Sequence, residues 1–182
     1  MSFHTFSLVL ERGRPAAKRV LVGSDKFPTI QQAKRIGYET NILERVHKVK
    51  ELTPRQKKFH NGGGASGPSS GSEGNSTGRE KWVEQAVDEI LHLKILESLI
   101  DAEAPSTMIL ATGDAAEAEY SGGFMKMVER ALEKGWKVEL VSFKLNTSGA
   151  YRRKDFRSRW GAMFKWVQLD DFVEDLVDHQ DG

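Results

Sequence analysis

Residues 107–114 read Thr-Met-Ile-Leu-Ala-Thr-Gly-Asp, a mainly apolar run that ends in a glycine and a carboxylate. Such a run, bounded by turn residues, is typical of a β-strand covered on both faces, as in a parallel sheet. Gly113 permits a sharp turn, which places Asp114 at the carboxyl end of the strand. Ligands of open parallel sheets bind at that edge, so the stretch predicts both a fold class and a candidate site.

The segments around this strand alternate between helical and extended patterns. Apolar residues at three- and four-residue spacing between Val83 and Leu99 predict a long amphipathic helix that ends near Asp101. The other predicted elements are strands at 19–24, 136–143 and 166–169, helices at 30–36 and 123–134, extended chain at 38–46, one more helix before the last strand and a short closing helix begun by Asp170 or Asp171. This alternation implies parallel strands joined by helical crossovers, hence a three-layer α/β/α, Rossmann-like fold with a mainly parallel sheet.

Length and composition narrow the class of protein. The chain has 182 residues, which fits one domain spanning 1–182. Residues 61–79 are rich in glycine and serine and almost without apolar side chains, so we expect a disordered loop to interrupt the domain there. The 27 basic and 26 acidic residues nearly balance, so any contact with nucleic acid needs a local basic patch.

Two absences in the sequence exclude further classes. The chain has no cysteine, which excludes disulfides, thiolate zinc sites and cysteine nucleophiles. No apolar run approaches the ~18 residues of a spanning helix, and the first residues lack the pattern of a signal peptide. We therefore expect an intracellular protein, cytoplasmic or nuclear, without a membrane partner.

The strand end is followed by a cluster of carboxylates. Residues 113–119 read Gly-Asp-Ala-Ala-Glu-Ala-Glu, which gathers Asp114, Glu117 and Glu119 at the edge where ligands bind. Oxygen ligands suit a hard cation such as Mg²⁺ or Mn²⁺, which can activate water and stabilise phosphoryl charge. In the alternative interpretation, Asp114 caps the next segment while Glu117 and Glu119 are solvated.

Asp88 is a second candidate ligand, near the start of the long helix. His92 lies one turn further on the same face, and a histidine in this setting is more often a packed side chain than a ligand. Asp88 could equally be a helix-start residue favoured by the helix dipole.

A basic segment with interleaved aromatic residues occupies 151–160, which reads Tyr-Arg-Arg-Lys-Asp-Phe-Arg-Ser-Arg-Trp. Cations and aromatic rings in this mixture suit the phosphates and stacked bases of single-stranded RNA. The candidate RNA-binding residues are Arg152, Arg153, Lys154 and Arg157. An amphipathic helix with a basic outer face explains the segment equally well. No GxGxxG motif opens a helix, which disfavours a Rossmann oxidoreductase.

Three motifs in order resemble NYN domains, a family of PIN-like nucleases. They are Gln-Ala-Val-Asp at 85–88, Ile-Leu-Ala-Thr-Gly-Asp at 109–114 and Lys-Gly-Trp-Lys-Val-Glu-Leu-Val at 134–141. The resemblance covers about residues 15–46 and 82–176. It implies a PIN-like fold and a divalent-metal-dependent ribonuclease whose acidic residues cluster at the sheet edge. Asp88 matches the aspartate of the family's Gly-Val-Asp element, and Asp114 matches that of its Gly-Asp element.

The chain departs from the family pattern in three places. Lys94 stands where the family has a second aspartate on the long helix, and Ala116 stands where it has one after the Gly-Asp element. The family's first strand, with its aspartate, has no counterpart before Arg19. Three explanations follow: the chain is truncated or divergent there, the apolar run Phe6–Leu10 fills the position without the acid, or a partner chain supplies a strand.

The leading functional hypothesis is a ribonuclease that cleaves single-stranded RNA with Mg²⁺ or Mn²⁺. Asp88, Asp114 and Glu117 are its candidate catalytic residues, and Glu119 is a further metal ligand. The alternative is a catalytically impaired nuclease-like domain that binds RNA or protein. A homodimer with an exchanged strand is expected if the sheet edge is incomplete.

Overall fold

The computed structural model describes residues 3–24, 28–49, 80–83, 86–115 and 122–176. The α-helices are α1 (Phe3–Glu11), α2 (Pro28–Arg35), α3 (Val87–Asp101), α4 (Gly123–Glu133), α5 (Lys154–Trp160) and α6 (Val173–Leu176). The strands are β1 (Val20–Gly23), β2 (Glu39–Ile42), β3 (Val46–Val49), β4 (Glu80–Val83), β5 (Thr107–Leu110), β6 (Lys137–Ser142) and β7 (Phe164–Gln168). Short 3₁₀ helices occupy Lys144–Asn146, Gly149–Arg152 and Leu169–Phe172.

The strands confirm an α/β fold built on parallel sheets. β5, β6 and β7 form a parallel sheet in that order, and β1 pairs in parallel with β2. The strands of each parallel pair are separated in the chain by a helix, because parallel strands need a long crossover connection. β3 and β4 form a separate antiparallel pair, which joins the two ends of the segment 50–79. The loop predicted at 61–79 lies outside the described residues.

Helices cover both faces of the β5–β6–β7 sheet, which gives three layers. On one face, Val138 and Leu140 of β6 are buried against α3, α4 and α5. On the other face, Val141 of β6 packs with residues of α1 and α6. Alternate residues of β6 therefore reach opposite cores, the pattern expected of a central parallel strand.

The apolar run Phe6–Leu10 lies within α1, so the explanation that it fills the position of a strand is wrong. A short apolar run does not distinguish a strand from a buried helix, and tertiary contacts decide between them. The end of α1 is tied to the sheet because Arg12 and Arg14 both pair with Glu139 of β6. Arg14 approaches the carboxylate with two nitrogens, at 2.6 and 2.9 Å.

Among the described strands, only β6 is paired on both sides, so every other strand has one edge without a described partner. Within the described ranges, β5 pairs only with β6, and β1 pairs only with β2. The side chains of Met108 and Ile109 are half-buried, whereas three consecutive residues of β6, 140–142, are buried. β5 is thus less covered than its apolar sequence predicts, because it lies at the edge of the three-stranded sheet. Among the described helices, none has the length and apolar character needed to cross a membrane.

Candidate functional site

The strand end after β5 is fixed by the loop that follows β6. The Ser148 amide donates a hydrogen bond of 2.7 Å to the Gly113 carbonyl, and the Tyr151 hydroxyl donates one of 2.8 Å to the Asp114 carbonyl. A Cβ atom on Gly113 would overlap the carbonyl oxygen of Asn146 and lie 2.7 Å from its carbonyl carbon. Only glycine allows this approach, and the backbone of Asp114 is therefore held in one place.

Tyr151, which donates the hydrogen bond to the Asp114 carbonyl, lies in a cluster of aromatic side chains. Its side chain is 2% exposed, stacks on Phe164 with ring centroids 5.8 Å apart and meets the edge of Phe156 at 6.0 Å. Burial raises the pKa of the Tyr151 hydroxyl, and the negative charge of Asp114 raises it further. The phenol therefore stays protonated at neutral pH and acts as a hydrogen-bond donor to the strand end.

Asp88 lies in the first turn of α3 and is exposed. The residue that precedes the helix, Ala86, has φ 61° and ψ 10°, a left-handed conformation that L-residues rarely adopt. The acidic pair Asp88 and Glu89 complements the positive end of the helix dipole. The helix start thus presents carboxylates close to a strained turn.

His92 connects the helix start with the strand end. Its ring is 2% exposed and meets the ring of Phe124 in α4 edge-on, with centroids 4.3 Å apart. Burial lowers the pKa of His92, while the charges of Asp88, Glu89 and Asp114 act in the opposite direction. Asp88 of α3 and Asp114 after β5 therefore lie near enough to influence the same buried ring.

The remaining acidic candidates, Glu117 and Glu119, lie outside the described residues, as does Ala116. Within the part of the chain that is described, no group of three or more histidine and carboxylate side chains could hold a metal ion. Mg²⁺ commonly uses one or two protein carboxylates and retains several waters, so a site for it does not require three protein ligands.

Lys94, which stands where the NYN pattern has an aspartate, forms ion pairs with two glutamates. Its ammonium group lies 2.8 Å from Glu39 of β2 and 3.0 Å from Glu97 of the same helix. The hydrogen bond with Lys94 lowers the pKa of the Glu39 carboxyl, with a smaller effect from Asn41. Lys94 therefore links α3 to β2.

The predicted RNA-binding residues surround the 3₁₀ turn and the start of α5, and all are exposed. Arg152, Lys154 and Arg157 line one open depression of about 410 Å³ together with Ser158 and Gly161. Arg153 does not line it. Arg153 instead lies 3.4 Å from Asp155, and both side chains are about 70% exposed.

The contacts between the loop after β6 and the strand end were missed by sequence reasoning. Residues 146–149 read Asn-Thr-Ser-Gly, a composition typical of a turn. The turn is closed by a buried hydrogen bond of 2.7 Å between the Ser142 and Thr147 hydroxyls and by the Ser148 hydroxyl, which accepts from the Ala150 amide. Turn composition predicts a loop but not which strand end it holds.

Comparison of the chain with protein-family models, with curated proteins and with solved structures found no match. The resemblance to NYN domains therefore remains a hypothesis that rests on the motifs quoted above.

Proposed function

We propose that this chain is a divalent-metal-dependent ribonuclease that acts on single-stranded RNA. The observation that carries the proposal is that the charges of Asp88 and Asp114 both act on the pKa of the buried His92 ring, which relates the helix start to the strand end. These two carboxylates, one on a helix start and one on a strand end, are 26 positions apart in the sequence, yet the charges of both influence the same buried ring. Carboxylates at the carboxyl edge of a parallel sheet are where ligands of such folds bind.

Each residue has a role in this proposal. Asp88 and Asp114 would hold Mg²⁺ or Mn²⁺, and Glu117 and Glu119 follow Asp114 closely enough in the sequence to add oxygen ligands. The cation, when bound, would supply activation of a water and charge stabilisation at the phosphoryl group. His92 is too buried to reach RNA, so we assign it to packing against Phe124.

The backbone conformation of Ala86 supports the resemblance to NYN domains, from which the assignment of Asp88 and Asp114 as metal ligands is taken. Ala86 stands at the glycine of the family's Gly-Val-Asp element, and its φ of 61° is the left-handed conformation that favours glycine. The position that is glycine in the family therefore has, in this chain, a backbone suited to glycine.

The RNA-binding part of the proposal rests on the basic segment. Arg152, Lys154 and Arg157 are exposed and would contact phosphates, which dominate the affinity of proteins for nucleic acids. Arg153 is left out of this set because it pairs with Asp155. The segment is attached to the acidic strand end through the hydrogen bond between Tyr151 and Asp114. Phosphate contacts and candidate metal ligands thus share one structural unit.

A second candidate function is a catalytically impaired domain that binds RNA or protein. It is favoured by Lys94, which forms ion pairs where the NYN pattern has an aspartate. It is also favoured because the described residues contain no cluster of three or more potential metal ligands. Both functions use the basic segment. They differ only in whether Asp88 and Asp114 hold a metal ion that cleaves RNA.

The experiment that separates them measures cleavage of a fluorescently labelled single-stranded RNA in Mn²⁺ and in EDTA. We expect Asp114→Asn and Asp88→Asn to slow cleavage by more than the roughly 10–100-fold that loss of an outer-shell partner costs. Asp155→Asn, which removes an exposed carboxylate beside Arg153, is the matched control and should cleave normally. Cleavage that is unaffected by Asp114→Asn rejects the ribonuclease, and RNA binding without cleavage supports the second function.

We also propose a homodimer in which an exchanged strand covers an open sheet edge. The support is that β1 and β5 each pair on one side only among the described residues. Exposed edges of apolar strands are templates for pairing with another chain.

A further inference from the structure

We infer that Arg152, Lys154 and Arg157 form a phosphate-binding cleft for a continuous phosphodiester chain, and that Arg153 and Arg159 take no part in it. We call these three residues with Ser158 and Gly161 the three-cation cleft. The identity of the ligand as RNA rests on the proposed function. The division of the cations into two groups rests on the geometry described below.

The cleft concentrates positive charge without a carboxylate. Lys154 and Arg157 are three residues apart on α5 and therefore share one face of the helix, and Arg152 joins them from the preceding 3₁₀ turn. In the described ranges, no acidic side chain lies within ion-pair distance of these three cations, and none lines the cleft. Such a set attracts anions, because no described carboxylate neutralises its charges.

The other two cations of the segment already have partners. Arg153 pairs with Asp155 at 3.4 Å, and Arg159 pairs with Glu133 of α4 at 3.6 Å. Arg159 also lies over the ring of Trp160, 4.6 Å from its centroid. The segment therefore divides into three cations that line one cleft and two that form ion pairs with carboxylates.

The shape and position of the cleft favour a chain over a small anion. It is an open depression of about 410 Å³, with a serine hydroxyl beside the cations to donate to a phosphate oxygen. Arg152 adds an aromatic neighbour, since its guanidinium lies 5.9 Å from the ring centroid of Trp166. Tyr151, the residue before Arg152, donates to the Asp114 carbonyl, so the backbone that carries the cleft is tied to the acidic strand end.

The test is RNA binding measured by fluorescence anisotropy in EDTA, where the metal site takes no part. The probe is a labelled oligouridylate of about 12 nucleotides, within the roughly 4–16-nucleotide site sizes of single-strand-binding folds. The double variant Lys154→Gln/Arg157→Gln is compared with Arg153→Gln/Arg159→Gln, which removes the same charge from exposed positions of the same segment.

We expect Lys154→Gln/Arg157→Gln to bind the RNA at least about 10-fold more weakly than the wild type. The slope of log affinity against log salt should fall in magnitude by about 1.4, because two phosphate contacts are lost at roughly 0.7 each for single strands. The control variant should keep the wild-type slope. Equal losses in both variants would show that only net charge matters and would overturn the inference. Displacement of the RNA by low millimolar inorganic phosphate would also overturn it, since it would indicate a site for a free anion.

The outcome is distinguishable from failure of the proposed function. If the chain shows no metal-dependent cleavage but the two double variants differ as expected, the cleft stands and the ribonuclease is rejected. If cleavage depends on Asp114 while Lys154→Gln/Arg157→Gln binds and cleaves like wild type, the cleft alone is rejected. No measurable RNA binding by the wild type rejects the cleft.

Discussion

Gly113 shows how a single residue determines where a candidate ligand stands. Its missing side chain lets the strand end approach the backbone of Asn146, and the Ser148 amide then bonds to its carbonyl. The sequence predicted a turn at Gly113 and an acid at Asp114, since glycine and the apolar run are local signals. It could not predict the contact with Asn146, because that contact joins residues 33 positions apart through the fold.

Gly113→Ala should destabilise the protein by about 1–3 kcal/mol, the usual cost of forcing extra atoms into a packed place. The reason is the overlap between the new Cβ atom and the Asn146 carbonyl. For a chain of this size the loss corresponds to about 2–4 °C in Tm per kcal/mol. Gly149→Ala is the control, because no atom lies within 4 Å of a Cβ placed there. A Tm that is the same in both variants would contradict the packing described for Gly113.

His92 predicts a pH dependence of stability. Burial is the largest influence on its pKa and lowers it from 6.5, so the unfolded chain takes up this proton at higher pH than the folded chain. Its stabilising contribution is complete above pH 6.5 and is lost as the pH falls through the folded pKa, by at most about 1.4 kcal/mol per pH unit.

Denaturant unfolding of wild type and His92→Gln at about pH 7.5 and about pH 5.5 checks this expectation. The free energy of unfolding of the wild type should exceed that of the variant by more at the higher pH. The reason is that the buried neutral imidazole has to be charged as the pH falls. A difference in unfolding free energy that stays constant or grows on acidification would contradict the lowered pKa of His92.

At the scale of elements, the strands and helices that carry the site were predicted from local pattern, while two features needed tertiary contacts. Phe6–Leu10 is helical because α1 packs its apolar side chains against the sheet and ties its end to Glu139. The antiparallel pair β3–β4 was also missed. Its first strand reads Val-His-Lys-Val, too short and too polar for a clear alternation.

Glu139→Gln should lower the free energy of unfolding by about 1.5–3 kcal/mol, the usual contribution of hydrogen bonds to a charged group. The carboxylate is 13% exposed and accepts from both Arg12 and Arg14, so its loss leaves two guanidinium groups without their partner at the end of α1. Asp155→Asn removes a solvent-exposed ion pair and should change stability by about 0.5 kcal/mol or less. Urea denaturation of the two variants measures the difference, and equal stabilities would mean that Glu139 does not anchor α1.

The whole molecule places its parallel strands in two sheets, β1–β2 and β5–β6–β7. The NYN resemblance anticipates a strand between the two groups, and the motifs of this chain contain no counterpart to it. The α/β architecture could be predicted because helical and extended sequence patterns alternate along the chain, and each pattern is a local property of its segment. The division into two sheets did not, because strand pairing depends on long-range contacts.

The open edges of β1 and β5 lead to a prediction about assembly. Light scattering coupled to size-exclusion chromatography should give the mass of a dimer, since paired edges remove exposed backbone groups. A lysine at an exposed position of the β5 edge, as in Thr107→Lys, should shift the mass toward the monomer. Leu145→Lys, at an exposed position outside the strands, is the control and should leave the mass unchanged. A monomeric mass of the wild type at all concentrations would contradict the proposed dimer.

The central claim is that Asp88 and Asp114 belong to one metal site, and a thermal-stability titration with Mn²⁺ tests it most directly. Binding to the native state alone stabilises by about 1.4 kcal/mol at ten times Kd, or about 3–6 °C for a chain of this size. We predict that Mn²⁺ raises the Tm of wild type and of Asp155→Asn, and that Asp88→Asn and Asp114→Asn each abolish the rise. A Tm that does not respond to millimolar Mn²⁺, or a rise that persists in both aspartate variants, would contradict the claim.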